Sequence, residues 1–153
     1  MNNAKARHSV HSLPASRIPD TLSVLFALCV IAATAVASPA TLEGTYWRLQ
    51  EMSGQPVSPG SAATLPHIAL HHGTSRVAGF GGCNRFFGQY SLSGNDITIT
   101  PMGGSRGSCG DADELERTFI RTLASATRFR IDGSHLVLIL DGTPLLVFEA
   151  VAG

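Results

Sequence analysis

Two Asp-Gly pairs, Asp132-Gly133 and Asp141-Gly142, separate apolar runs near the carboxyl end, and nothing else in the chain restricts its fold as strongly. A two-residue hairpin turn needs the positive φ that glycine adopts without steric cost. The runs at 129–131, 135–140 and 145–151 are therefore expected to fold back on one another as antiparallel strands. Within them Leu136-Val137-Leu138-Ile139-Leu140 is apolar on both faces, which reads as a central strand covered on both sides.

Period-two alternation continues upstream. Trp47 and Leu49 alternate with Tyr46, Arg48 and Gln50; Ile68, Leu70 and His72 with His67, Ala69 and His71; Ile97 and Ile99 with Thr98 and Thr100. These are half-buried antiparallel strands. One segment follows a different period: Leu115, Phe119 and Leu123 recur every four residues, flanked by Ala112, Ile120 and Ala126. That stripe predicts an amphipathic helix of about fifteen residues with its apolar face on the sheet. Asp111 reads as its N-cap with Glu114 in capping-box spacing, and Asp113, Glu114 and Glu116 crowd the positive end of the helix dipole. The stretch 55–65, with Pro56, Pro59 and Gly60, reads as a surface loop. The expected class is α+β: a mainly antiparallel sheet with one helix packed on it.

Charge and leader narrow the function classes. Eleven Lys+Arg balance eleven Asp+Glu, which excludes a strongly basic nucleic-acid binder. Only 14% of residues are charged, against roughly 25% in an ordinary domain. Lys5, Arg7 and Arg17 precede a nearly uncharged run over 21–37 that ends in Ala35-Val36-Ala37, so 1–37 reads as a secretory signal peptide cleaved after Ala37. The alternative is a membrane anchor formed by residues 21–37. Cys29 lies mid-run after Leu28, not at the end of the run after a small residue, so acylation there is not expected. Removal of the leader leaves 38–153 as a single domain with eight arginines, ten carboxylates and two cysteines, periplasmic or secreted. In an oxidising compartment Cys83 and Cys109, without CxxC spacing, suit a structural disulfide contributing roughly 3–4 kcal/mol in the chain-entropy picture. Two buried free thiols are the other reading.

Candidate chemistry is thin. Gly103-Gly104-Ser105-Arg106-Gly107 matches the G-x-S-x-G elbow of serine hydrolases, but that elbow runs directly into a helix above a parallel sheet. A Gly-rich loop is the simpler reading. His67, His71 and His72 form the one histidine cluster, without a flanking carboxylate or cysteine to complete a zinc site, so an exposed strand edge is expected. Gly79, Gly81 and Gly82 lack the G-K-[ST] of a phosphate loop and suit a bulge or close backbone packing. Helix capping accounts for the acidic pairs Asp111/Asp113 and Glu114/Glu116. No catalytic residue, cofactor or metal is expected.

The stretch Val77-Ala78-Gly79-Phe80-Gly81-Gly82-Cys83-Asn84-Arg85-Phe86-Phe87-Gly88-Gln89-Tyr90 resembles the signature of the META domain family, also called HslJ-like. Leu42-Glu43-Gly44-Thr45-Tyr46-Trp47-Arg48-Leu49 resembles its opening strand, and Cys109 stands where a second cysteine precedes the helix. The resemblance covers about residues 41–150. The family commonly shows Thr-Arg-Met-x-Cys-Pro before the helix, where this chain has Ser105-Arg106-Gly107-Ser108-Cys109-Gly110. It implies a small α+β domain with a partly closed, barrel-like antiparallel sheet, found in exported envelope proteins linked to heat shock and drug tolerance, with no agreed catalytic residues. The matching residues Trp47, Gly82, Cys83, Asn84, Arg85, Phe86, Gly88, Tyr90 and Cys109 then take physical roles. Cys83 and Cys109 tie a strand to the helix start. Asn84 caps a turn or takes a left-handed φ, and Arg85 makes a structural salt bridge or bonds carbonyls, the alternative being that it binds a carboxylate or a partner. The function expected is non-enzymatic binding of an envelope protein or an apolar small molecule. The alternative is a lipid or hydrophobic-ligand carrier whose pocket is lined by Trp47, Phe80, Phe86, Phe87, Leu138 and Phe148, and a hydrolase using Ser105 ranks below both.

Overall fold

The computed structural model describes residues 39–58 and 64–151. The expected leader and Cys29 lie outside the described residues. The elements run β1 (Tyr46–Met52), β2 (Gln55–Pro56), β3 (His67–His71), β4 (Arg76–Phe80), β5 (Arg85–Ser93), β6 (Asp96–Gly104), α1 (Ala112–Ser125), β7 (Arg128–Asp132), β8 (His135–Leu140) and β9 (Thr143–Val151). From β3 onward each strand pairs antiparallel with the next, and β1 pairs with both β3 and β9, so the sheet returns on itself like a ring. Its weakest seam is between β6 and β7, which share the single pair Asp96↔Arg128. In sequence α1 connects those two strands, and it packs against β6 and β9. Within the 55–65 stretch Gln55 and Pro56 pair with Met52 and Glu51, residues 57, 58, 64 and 65 belong to no strand or helix, and 59–63 lie outside the described residues.

Alternation decides what fills the ring. Trp47, Leu49, Ile68, Leu70, Leu136, Leu138, Leu146 and Phe148 are fully buried on the inner face. The helix adds Phe119 and Leu123 to the same core. The Phe119 ring meets Phe86 and Phe148 edge-on, at centroid distances of 6.1 and 6.2 Å, an arrangement that aromatic quadrupoles favour. Each such side chain contributes about 1.5–3 kcal/mol by leaving water. Val137, on the other face of β8, is also buried, as expected of a strand covered on both sides.

The two Asp-Gly turns differ in detail. At Asp141-Gly142 both residues have positive φ, +49° and +80°. At the other, Asp132 still pairs with His135, so the turn residues are Gly133 and Ser134, and only Gly133 is at positive φ. The helix start also departs from expectation. Asp111 has helical φ and ψ and makes no side-chain cap. Its place is taken by Asp113, whose carboxylate accepts from Cys109 N and Ser108 Oγ, both at 2.8 Å. Glu114 accepts from Arg117 at 2.7 Å instead of reaching back to close a capping box. Among the described residues no helix is long and apolar enough to cross a membrane.

Candidate functional site

The turn between β4 and β5 is built from Gly81, Gly82, Cys83 and Asn84, and an acidic side chain from the helix enters it. Glu116 Oε2 accepts from the backbone N–H of Cys83 at 3.3 Å and from that of Asn84, while Oε1 accepts from Asn84 Nδ2 at 3.0 Å. Successive N–H groups around a turn make an anion-holding concavity, and here the anion is part of the chain. Gly81 has to be glycine, since a Cβ there would stand 2.6 Å from Glu116 Cγ.

The same turn grips the loop before α1. Asn84 Nδ2 donates to Gly107 O at 3.0 Å, and Gly107 N donates to Asn84 Oδ1 at 2.6 Å. Ser105 Oγ donates to Asn84 Oδ1 at 3.2 Å and accepts from Arg85 N at 3.1 Å. A disulfide joins Cys83 to Cys109, with Cα atoms 5.7 Å apart. Asn84 therefore caps backbone groups as expected, and positive φ falls to Gly82 at +116°. Asp113 lies close enough to both cysteines to suggest a three-ligand set, but the two sulfurs are bonded to each other. Hydrogen bonds from Cys109 N and Ser108 hold the Asp113 carboxyl below its usual range.

Other motif residues serve the frame. Trp47 is buried and its Nε1 donates to Leu42 O at 3.0 Å. Phe86 packs in the core, and Gly88 lets Thr100 O of β6 approach where the β5–β6 register shifts. Tyr90 is buried and its hydroxyl donates to Glu43 Oε1 and to His71 O at 3.2 Å. Glu43 also lies 2.6 Å from His72 Nδ1. Bonds from Tyr90 first and His72 second lower the Glu43 carboxyl. Burial, then the Glu43 contact, pushes Tyr90 up to about 12.

One expected pairing and two lower-ranked readings fail on geometry. Arg85 makes no structural ion pair or carbonyl bond through its side chain among the described residues; it occupies an outward position on β5 beside Phe80. Ser105 has no histidine hydrogen-bonded to it among the described residues, and the first helical residue, Ala112, comes seven positions later. The six side chains expected to enclose a cavity are split by alternation: Trp47, Phe86, Leu138 and Phe148 fill the core, whereas Phe80 lies on the outer face and Phe87 is 56% exposed.

That outer face also carries open apolar surface. His67, Phe80 and Arg85 are cross-strand neighbours on β3, β4 and β5. The His67 ring stacks on Tyr46 at 4.4 Å and lies near-parallel to Phe80 at 5.8 Å. Beside this ladder Ala69 and Ala78 form the low floor of a groove of about 480 Å³. The three histidines thus diverge: His67 stacks, His72 contacts Glu43, and His71 is exposed. Sequence reads Glu116 only as an acid at the positive end of the helix dipole, and it does not reveal the groove. Glu116 lies 32 residues from Asn84, and outward positions on separate strands carry no local period.

Comparisons with known proteins follow the geometry. A protein from Burkholderia xenovorans solved by NMR superposes with a TM-score of 0.61 at 20% identity, covering 94% of this chain and all of that one. A second NMR structure matches at 23% identity and a TM-score of 0.56, over 74% and 94% of the two chains. A DUF4847 family protein from Bacteroides vulgatus matches at 14% identity and 0.53, over 71% and 93%. At these identities the likeness shows the fold. No curated protein matches. The META domain match spans residues 40–152, nearly all of the strands and the helix, so the chain belongs to the META domain family.

Proposed function

We propose that this META domain is a non-catalytic binding module of the cell envelope, exported behind the leader at 1–37 and working in stress response through protein or apolar-ligand contacts. The observation that carries the reading is the division between its two faces. The inside of the ring is filled by Trp47, Phe119 and Phe148, while Tyr46, Phe87 and Met102 stay exposed outside at 40%, 56% and 62%. Contacts with a partner are therefore made on the outer face of β1 and β3–β6. Large exposed apolar side chains gathered on one face mark interaction sites more often than scattered ones do.

A photo-crosslinking residue at position 87, introduced in the cell of origin, should capture a specific envelope component that the same residue at Arg130, exposed on β7 outside the proposed face, does not. Fractionation of the same cells should find the chain in the periplasm or medium. Crosslinks no different from those at Arg130, together with no thermal shift against a panel of apolar compounds, would sink the reading.

A further inference from the structure

We propose, resting on the outer-face reading above, that the groove beside Tyr46, His67 and Phe80 binds a small apolar or aromatic carboxylate whose acid group is held by Arg85. A groove of about 480 Å³ falls within the roughly 300–1,000 Å³ range of small-ligand sites. Its floor is low because Ala69 and Ala78 pair directly across β3 and β4. Its wall is a row of near-parallel rings, Tyr46 on His67 and His67 toward Phe80, against which a flat apolar body can lie. These features alone would admit any apolar molecule.

Charge selects among them. None of the residues lining the groove is acidic, and Arg85 stands at its end with no side-chain partner among the described residues. The nearest comparable guanidinium on this face, Arg48, is already taken by Glu149 at 2.9 Å. Arg85 thus presents a planar fork that matches a carboxylate in two parallel bonds, beside rings that hold the rest of the molecule. The rings are suited to this by their own state. Burial first, and the charge of Arg85 as well, lower the proton affinity of His67 against an opposing bond to Leu65 O, so its ring stays neutral and stackable at neutral pH.

The test uses the isotope-labelled full chain, naphthalene-2-carboxylate, and 2-naphthamide, which has the same shape without the charge. Titration followed by NMR should move the amides of Ala69, Ala78 and Phe80, with the carboxylate binding more tightly. Arg85→Gln should weaken the carboxylate about tenfold and leave the amide unchanged, because a bond to a charged partner is lost. Ala78→Gln, which fills the floor, should abolish both. Both side chains lie outside the core, so unchanged spectra elsewhere certify the fold. Equal affinity for the two probes, with Arg85→Gln inert, overturns the acid class while leaving apolar contact on this face standing. Shifts elsewhere, or none, overturn the groove itself, and the crosslinks from position 87 then decide the wider reading separately.

Discussion

Asn84 and Arg85 are neighbours in one motif, and they are used in opposite ways. Asn84 sits on the turn before β5 and spends both ends of its amide inside the molecule, on Gly107, Ser105 and Glu116. Arg85 begins β5, points to the outer face, and spends its guanidinium on nothing described. The region around Asn84 is saturated: a disulfide, two backbone N–H groups on one carboxylate, and a glycine that leaves no room for a Cβ. The groove beside Arg85 is apolar, shallow and electrostatically unbalanced. In this fold, polarity already paired explains how α1 is held, and polarity left open is where the proposed ligand would be held.

The comparison is broken most severely by changes that treat both faces alike. Phe119→Ala should cost about 3–5 kcal/mol, because it opens a cavity between Phe86 and Phe148 that neighbouring strands cannot close. Phe87→Ala, on the exposed side, should cost under about 1 kcal/mol, since surface changes away from special features are small. Urea unfolding of the two variants measures the difference, and equal losses would mean that the outer aromatic is structural. Replacing Cys83 and Cys109 together by alanine should cost about 3–4 kcal/mol, the loop entropy restored to the unfolded chain across a separation of 26 residues. The same unfolding curves report it, and no loss would mean that Glu116 and Asn84 hold the turn unaided.

Glu116→Gln tests that second grip directly. An amide oxygen can still accept, but the charge-assisted bonds from Cys83 N and Asn84 N are weakened and its NH₂ meets donors, so about 1–3 kcal/mol should be lost. Hydrogen exchange at Cys83 and Asn84 should accelerate alongside. This interaction shows why part of the molecule was legible in sequence and part was not. The hairpins at Gly133 and Gly142 and the helix stripe through Phe119 follow from residues a few places apart. Glu116 was read as a dipole-complementing acid because its spacing within the helix says only that, and its partner is 32 residues away. Asp113, and not Asp111, accepts from the backbone of the loop, bonding Cys109 N across the positive-φ Gly110. Arg85 was expected to pair because an arginine in a tight motif usually does; strand alternation, which places it outward, decided otherwise.

At the far end of the structure, Tyr90 offers a pH signature of a paired polar group. Its folded pKa of about 12 lies above the ordinary 10.0 because burial, and then the Glu43 carboxylate, disfavour the phenolate. A raised folded value means that this group's contribution is complete below about pH 10 and is lost as pH climbs through about 12. Thermal melts should therefore fall steeply across that window, with Tyr90→Phe showing a shallower fall. Tyr46, whose pKa burial also raises, supplies the remainder. Identical slopes for the two proteins would mean that the Tyr90–Glu43 contact does not persist in solution.

The smallest expected effect is the one that separates the two regions most cleanly. Arg85→Gln should change stability by no more than about 0.5 kcal/mol, because the guanidinium is exposed and its removal leaves no buried group without a partner. Its backbone N–H, the part that serves the turn by donating to Ser105 Oγ, is untouched. Glu116→Gln should do the reverse, loosening the turn while leaving the groove's rings in place. A stability loss for Arg85→Gln as large as that for Glu116→Gln would show that the guanidinium belongs to the frame after all, and the groove would then lose the charge that selects its ligand.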